Sequence, residues 1–516
     1  MISGRKDIAN GLHRFFYGRG HAGRRQADSG CAGKVRGWIL FWGVCILIRY
    51  MLPFVPSENL VLHARIVDAL HAQLNWGRQA LVASHEMPLL PTLAAGVVES
   101  VTQIVGFLDA QRVLLAVLQV WSLYYLVRLA GSLRAVLNVA LIFAMLALVP
   151  AARVVLLACD PAWAAVVPFV SSVFHTRRWF ETRSLRDAII ASMCGGIMVF
   201  AGVPAMLYAA ALVVFLVIET GTIADLSRGD RHGIRLLIAA PLLYGLGLQL
   251  LLSWLIMGDA LFAWRPLAAG FVAVPPGVVV ERISNALTAP VLVLALGGSA
   301  ALAICHARGL TRPVYCLVGG AAGLLGAVLL CEVSRFEPAG ADPLLAMLAV
   351  VGFSFAPVRD SGRAGRRRKN AAIALTAIFV LVARALPTRE FGIDPREYSV
   401  APPRDAITTF LDRYWQGARV VVPGLRAVAL YSDMEEERFV ARVDFYPDRF
   451  LEQATEEQLH LLVPPPNGRY YARNHVLADI HRNGRPWLLL EVMWPSGWQL
   501  WRCVLPPVDE RGRGMP

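Results

Sequence analysis

Apolar runs of near-membrane length recur from residue 37 to residue 387, and soluble layered folds do not bury that many in sequence. They lie near 37–54, 109–129, 135–151, 160–174, 188–203, 204–219, 236–257, 286–305, 313–333, 342–357 and 371–387. A helix needs about 20 apolar residues to span a bilayer and satisfies its backbone groups internally. The pattern therefore predicts a mainly α, polytopic transmembrane protein with about eleven crossings. Hydrophobic residues make up 56% of the 516-residue chain, in line with that class. No small-x-small cleavage site follows Gly37–Phe54, so this first run reads as a retained anchor.

The placement of cations sets the expected orientation. Formal net charge is +13, and nearly all cations are arginines in a chain rich in Ala, Gly and Val, a composition typical of GC-rich bacterial coding sequence. A basic arm, residues 1–36, holds Arg5, Lys6, Arg14, Arg19, Arg24, Arg25, Lys34 and Arg36. If that arm is cytoplasmic, the later clusters Arg177–Arg186, Arg228–Arg235 and Arg359–Lys369 all fall on the same side, as the positive-inside rule requires. The opposite loops carry only Arg65, Arg78, Arg153, Arg265, Arg282 and Arg335. This arrangement holds only if residues 88–107 do not cross, so they are expected as a re-entrant or interfacial helix on the outer face. Basic clusters at helix ends anchor orientation and meet anionic lipid headgroups. They do not form the contiguous reading face that nucleic acid needs, so nucleic acid is excluded as a partner.

The eight cysteines are scattered, mostly within apolar runs, and form no CxxC pair or zinc spacing. They read as small buried hydrophobes. Beyond residue 387 the composition shifts to Pro, Arg, Glu and Trp without a membrane-length run. The expected domains are the arm 1–36, a transmembrane domain 37–387 with an outer loop 55–108, and a small extracytoplasmic α+β domain 388–516. Strands are predicted at 419–422, 427–431, 439–445, 459–463, 487–492 and 499–504, the last two joined by the turn-forming Pro495-Ser496-Gly497. Trp487, Trp494, Trp498 and Trp501 read as core or membrane-interface residues ahead of a sugar platform.

The candidate chemistry lies in the outer loops. Glu58 follows the first run and opens an amphipathic stretch, with Leu60, Val61, Ile66, Val67, Leu70 and Leu74 at helical spacing. Ser57 suits a helix cap, which puts Glu58 in the first turn where the dipole favours a carboxylate. A carboxylate at the membrane surface also suits a general base. His85 and Glu86 in His85-Glu86-Met87-Pro88-Leu89 are candidates to bind substrate, or a divalent metal ion, though solvated loop residues fit the same pattern. Asp160, before Pro161, suits an N-cap and is costly at a membrane helix edge unless solvated or used. Arg265, in Gly258-Asp259-Ala260-Leu261-Phe262-Ala263-Trp264-Arg265, and Arg335 are outer guanidinium forks able to hold a lipid phosphate or to snorkel at the interface.

Taken together, these residues resemble the GT-C superfamily of polyprenyl-phosphate-sugar-dependent glycosyltransferases, nearest the branch of aminoarabinose transferases and protein O-mannosyltransferases. The resemblance covers roughly 37–390 and rests on Glu58, the His85–Leu89 segment, Arg112 in Asp109-Ala110-Gln111-Arg112, Asp160, Thr182–Asp187 and Gly258–Phe262. It implies sugar transfer from a polyprenyl-phosphate donor to an acceptor on the outer face of the bacterial inner membrane. In that reading Glu58 and Asp160 are catalytic, while His85, Glu86, Arg265 and Arg335 bind substrate. Two departures stand out: the family's acidic pair is here Ser57-Glu58, and its His-Pro-Pro-Leu segment is His85-Glu86-Met87-Pro88-Leu89. The rival reading is a non-catalytic protein of the same fold that works with protein partners in envelope polysaccharide assembly. A transporter ranks last, since no internal repeat is seen and the strongest acidic candidates lie at helix ends.

Overall fold

The computed structural model describes residues 41–52, 55–56, 58–83, 89–105, 110–130, 148–159, 162–221, 227–265, 280, 290–306, 321–326, 341–355, 374–375, 377–385, 404–424, 428, 438–443, 447–465 and 475–504. In chain order the elements begin with α1 (Phe41–Met51), β1 (Val55–Pro56), α2 (Glu58–His71), α3 (Asn75–Ala83), α4 (Leu89–Val105), α5 (Ala110–Ala130), α6 (Pro150–Leu157) and β2 (Ala158–Cys159). Then come α7 (Trp163–Thr182), α8 (Leu185–Met198), α9 (Val203–Gly221), α10 (Arg228–Met257), α11 (Pro290–His306) and α12 (Ala341–Phe355). The C-terminal part holds α13 (Arg404–Tyr414), β3 (Val420–Pro423), β4 (Phe439–Arg442), α14 (Pro447–Glu456), β5 (His460–Val463), α15 (His475–Asn483), β6 (Leu488–Met493) and β7 (Gln499–Cys503). The fold is thus mainly helical with a small C-terminal sheet. It divides into a unit of Met1–Leu60, Pro88–Leu250 and Pro275–Thr388 and a unit of Val61–Met87, Leu251–Val274 and Arg389–Pro516.

In the first unit the apolar runs become helices where they are described. Among the described residues three are long and apolar enough to cross a membrane: Arg112–Leu129, Val203–Gly221 and Arg228–Met257. At 1.5 Å per residue the 30-residue α10 is about 45 Å long. Its Leu236, Leu243 and Tyr244 are exposed, as side chains facing lipid would be. The remaining expected crossings fall on shorter apolar helices such as Phe41–Met51, Pro290–Ala300 and Pro343–Gly352, on α7 and α8, or outside the described residues. A count of about eleven therefore stays an expectation. Residues 88–107 contain a 17-residue helix, α4, which packs on α5, α7 and the 3-10 turn Val199–Ala201.

Local chemistry explains where these helices stop. The run expected over 160–174 continues as α7 to Thr182, because Arg177, Arg178 and Glu181 do not break a helix and Arg177 Nε pairs with Glu181 Oε1 at 2.9 Å. Arg183 then turns left-handed, and its N–H donates to the Trp179 carbonyl at 2.7 Å, closing the helix end. Helix α8 ends in the 3-10 turn and Gly202, whose φ of 113° lies where side-chain-bearing residues rarely go. Helices α11 and α12 meet backbone to backbone: a Cβ on Gly352 would lie 2.3 Å from the Gly298 carbonyl oxygen. Small residues at such a crossing allow the close approach that drives helix association in lipid.

The second unit centres on a five-stranded mixed sheet of order β4-β3-β5-β7-β6. Strands β4, β3 and β5 run parallel, with Val420 opposite both Phe439 and His460. Strand β7 is antiparallel to β5 and to β6, which it joins as a hairpin. That hairpin is the one expected from Pro495-Ser496-Gly497: Trp494 N–H bonds to the Trp498 carbonyl at 2.9 Å, and Gly497 takes a φ of 85°. The strand expected at 427–431 is not found where it is described. Val428 instead bonds back to the Gly424 carbonyl in helical fashion at 2.9 Å, and the rest of that stretch lies outside the described residues.

Alternation along the strands makes two apolar faces. One, with Val421, Leu461, Val463 and Trp501, packs with Ala454 of α14 and with Leu477 and Ile480 of α15. The other, with Val420, Val422, Leu462, Leu500 and Trp498, is covered by Ile407 and Leu411 of α13. Leu62, Ile66 and Ala69 of α2, Trp76 and Ala80 of α3, and Phe262 belong to that same core. The composition break at 388 and the limits of this unit are therefore different boundaries, since three separate stretches of chain build one core.

Candidate functional site

The first-loop residues are held by two separate devices. At its start, β1 pairs in parallel with β2, Val55 opposite Ala158 and Pro56 opposite Cys159. Glu58, the first residue of α2, follows the paired Pro56 by two positions, and Asp160 is the next residue after the paired Cys159. Further on, α2 ends where Gln73 turns left-handed at a φ of 58° and the Leu74 N–H returns to the Ala69 carbonyl at 2.9 Å. Helix α3 folds back closely enough that a Cβ on Gly77 would lie 2.9 Å from the Ala69 carbonyl carbon.

The two helices that feed the β1–β2 pairing are joined by a polar chain. Arg49, in α1, donates through Nε to Gln119 Oε1 of α5, and Gln119 Nε2 donates to the Leu156 carbonyl at the end of α6 at 3.1 Å. Arg49 is half-buried, with both Nη atoms inaccessible to solvent. An arginine inside the first apolar run is a signal present in the sequence, and charge inventory by loop passes over it because the residue lies in no loop.

The expected site residues divide as follows. Arg265 is tied into a tight turn: its Nε meets Asp259 Oδ2 at 2.5 Å, and Asp259 Oδ1 accepts the Leu261 N–H at 3.0 Å. The guanidinium is more than half exposed and already has a carboxylate beside it. Arg112 is exposed in the first turn of α5. The side chain of Glu58, and the residues His85, Glu86, Asp160 and Arg335, lie outside the described residues. Among the described residues no group of three His, Cys, Asp or Glu is arranged to hold a metal ion.

Three buried polar features were not foreseen as such. His175 of α7 bonds through Nδ1 to Asp187 Oδ1 of α8 at 2.7 Å, and Arg178 Nε lies 3.5 Å from the other carboxylate oxygen. Asp187 sits in the first turn of α8, where the helix dipole also favours its charge. His63, within the amphipathic α2, is buried, and burial lowers its pKa to about 3. His460, on β5, has no hydrogen-bond partner at either ring nitrogen among the described residues, and its ring lies 5.3 Å from that of Trp415. Burial lowers its pKa too, against the opposing pull of Glu491. Helical or strand periodicity assigns each histidine to a face, but not how deeply that face is covered.

No protein-family model matches this chain, and neither does any curated protein sequence.

Proposed function

We propose that this chain is a GT-C-type glycosyltransferase of the bacterial inner membrane, transferring a sugar from a polyprenyl-phosphate donor to an acceptor at the outer face. The observation that carries the reading is the parallel pairing of Val55–Pro56 with Ala158–Cys159, which joins the two stretches leading to Glu58 and Asp160. Two carboxylates reached from neighbouring strands suit a reaction in which a proton must leave the acceptor as it attacks. Glu58 takes that proton or orients the acceptor, with Asp160 and the His85/Glu86 pair in support. The acceptor attacks the anomeric carbon, the bond from that carbon to the phosphate oxygen breaks, and polyprenyl phosphate departs with the added negative charge. Cations near that phosphate ease its departure. Arg335 and Arg265 are proposed for that role, Arg265 sharing its charge with Asp259.

The shared core of the second unit supports the orientation. Leu62, Ile66 and Trp76, Phe262, and the strands from Val420 onward cannot meet in one hydrophobic core across a bilayer. The loop after the first apolar helix, the loop after α10 and the C-terminal region thus belong on one side. The arginine distribution assigns that side to the exterior, with the N-terminal arm in the cytoplasm.

The test is transfer by the purified full chain from radiolabelled polyprenyl-phosphate sugars. Glu58→Gln should lower the rate by about 10²-fold or more while leaving thermal unfolding unchanged. Transfer at the wild-type rate removes the base assignment. The single carboxylate in Ser57-Glu58 favours the second reading, a non-catalytic protein of the same fold in envelope polysaccharide assembly. Absence of transfer by the wild type from any such donor decides for it.

A further inference from the structure

His460 opens β5 and is 2% exposed, and among the described residues neither ring nitrogen has a hydrogen-bond partner. A neutral ring is tolerated there. A protonated one carries a charge and two N–H donors that need acceptors. Arg502 of β7 is its direct cross-strand partner, and the Trp415 ring lies 5.3 Å from the imidazole. The Arg502 guanidinium in turn lies 4.6 Å from the centre of the same Trp415 ring, and Arg502 Nε is held by Glu491 Oε1 of β6 at 2.7 Å. Trp415 stands where α13 ends. Its N–H donates to the Leu411 carbonyl at 2.8 Å, and its carbonyl accepts from Ala418 at 3.0 Å in the turn that leads to β3. One indole, seated on Arg502 and beside His460, thus fastens the end of α13 to the sheet. Of the charged side chains on the elements packed there, Glu491 and Arg502 act on His460. Arg419, just before β3, is paired with Glu457, Asp412 of α13 is paired with Arg438, and Arg413 lies over Tyr414.

We infer that Trp415, Arg502, Glu491 and His460 form an acid-sensitive latch that releases the end of α13 from the sheet when His460 takes up a proton. The imidazolium repels Arg502 directly opposite it and draws on the carboxylate that holds Arg502 in place. The cation–π contact with Trp415 is then given up. Ile407 and Leu411 lift with the helix from the sheet face that they cover. Burial holds the closed histidine's pKa below its ordinary value of about 6.5, and in the open latch it returns there. Opening therefore takes up a proton. The latch is closed above pH 6.5, and its opening constant rises by up to about ten-fold for each pH unit below that. This local release differs from acid unfolding of the whole unit, and it stands independently of the glycosyltransferase reading.

The test is hydrogen exchange of the purified full chain in detergent, read by mass spectrometry on peptides from α13 and from β5 and β7, and corrected for the intrinsic pH dependence of exchange. Between pH 7 and pH 5 the opening constant of α13 should rise at least about five-fold while β5 and β7 stay protected. His460→Phe keeps an aromatic ring without a proton site and should remove that rise. Glu491→Gln carries the test where His460→Phe does not fold: α13 should exchange faster than in wild type at pH 7 and gain little more by pH 5. Protection of α13 that is equal at both pH values, or that is lost only together with β5 and β7, overturns the inference. So does a wild-type rise in folded His460→Phe, which assigns the opening to another group such as His63. Faster exchange with an undiminished rise in Glu491→Gln marks a merely structural ion pair and overturns it too.

Discussion

In the helical unit Leu236 and Tyr244 are 71% and 73% exposed, while Asp187 is 3% exposed and held by His175 and Arg178. In the sheet unit the ion pairs sit differently. Val420, Val421, Leu461 and Leu462 are fully buried, and the ion pairs Arg419–Glu457 and Arg485–Asp479 lie at the surface. That is the pattern expected if lipid surrounds the first unit and water the second. Apolar side chains gain nothing from hiding in lipid, so helices there meet through small residues such as Gly298 and Gly352 and through paired polar groups. In water the apolar area is the driving force, and charged pairs at the rim contribute little.

Removing a buried charge partner tests that contrast most severely. Asp187→Ala leaves His175 and Arg178 without their shared carboxylate, and should destabilise the helical unit by about 3–5 kcal/mol. Denaturant unfolding in detergent, followed by circular dichroism, measures it. A loss below about 1 kcal/mol would place Asp187 with the surface pairs instead.

Acid should act on the other unit. His63 and His460 are buried with pKa values lowered, His63 to about 3, against about 6.5 in an unfolded chain. Below pH 6.5 the unfolded chain takes up protons that the folded histidines refuse. The stability of the sheet unit is therefore full above pH 6.5 and falls as pH drops below it, His63 alone accounting for a loss of roughly 3 kcal/mol by pH 4. Unfolding followed by tryptophan fluorescence across that range reports it. His63→Leu should flatten the profile, and a slope unchanged in that variant would show that other groups set it. The smallest effect belongs to the surface: Arg419→Ala should cost only about 0–1 kcal/mol, and less in high salt. A larger loss, measured by the same unfolding, would mean that this pair is less solvated than its exposure indicates.

Much of the fold was legible from periodicity. Where they are described, the long apolar runs became helices, and five of the six expected strands appeared within a residue or two at their starts, because alternation and the Pro-Ser-Gly turn are local signals. The β1–β2 pairing left no such trace. Two residues on each side carry no period, and their partners are a hundred positions apart. The depth at which His63 and His460 are buried depends on which surfaces cover them, and that is non-local. The end of α7 was misjudged for a different reason: Arg177 and Arg178 were weighed as loop charge, although a charged side chain continues a helix where neighbours accept it. Arg49 was a visible clue left unread, an arginine among apolar neighbours whose partner Gln119 comes seventy residues later.

The seam in the sheet unit has a consequence for synthesis. The apolar side of residues 62–80 leaves the ribosome roughly 340 residues before the first strand that covers it, which at about 5–20 residues per second is on the order of 20–70 s. During that interval Leu62, Ile66 and Trp76 need a temporary cover, and the membrane surface or a holding chaperone can supply one. For the same reason the C-terminal strands are not a cassette. Transplanted without the stretch near 61–83 and the turn at Phe262, they would carry half a core.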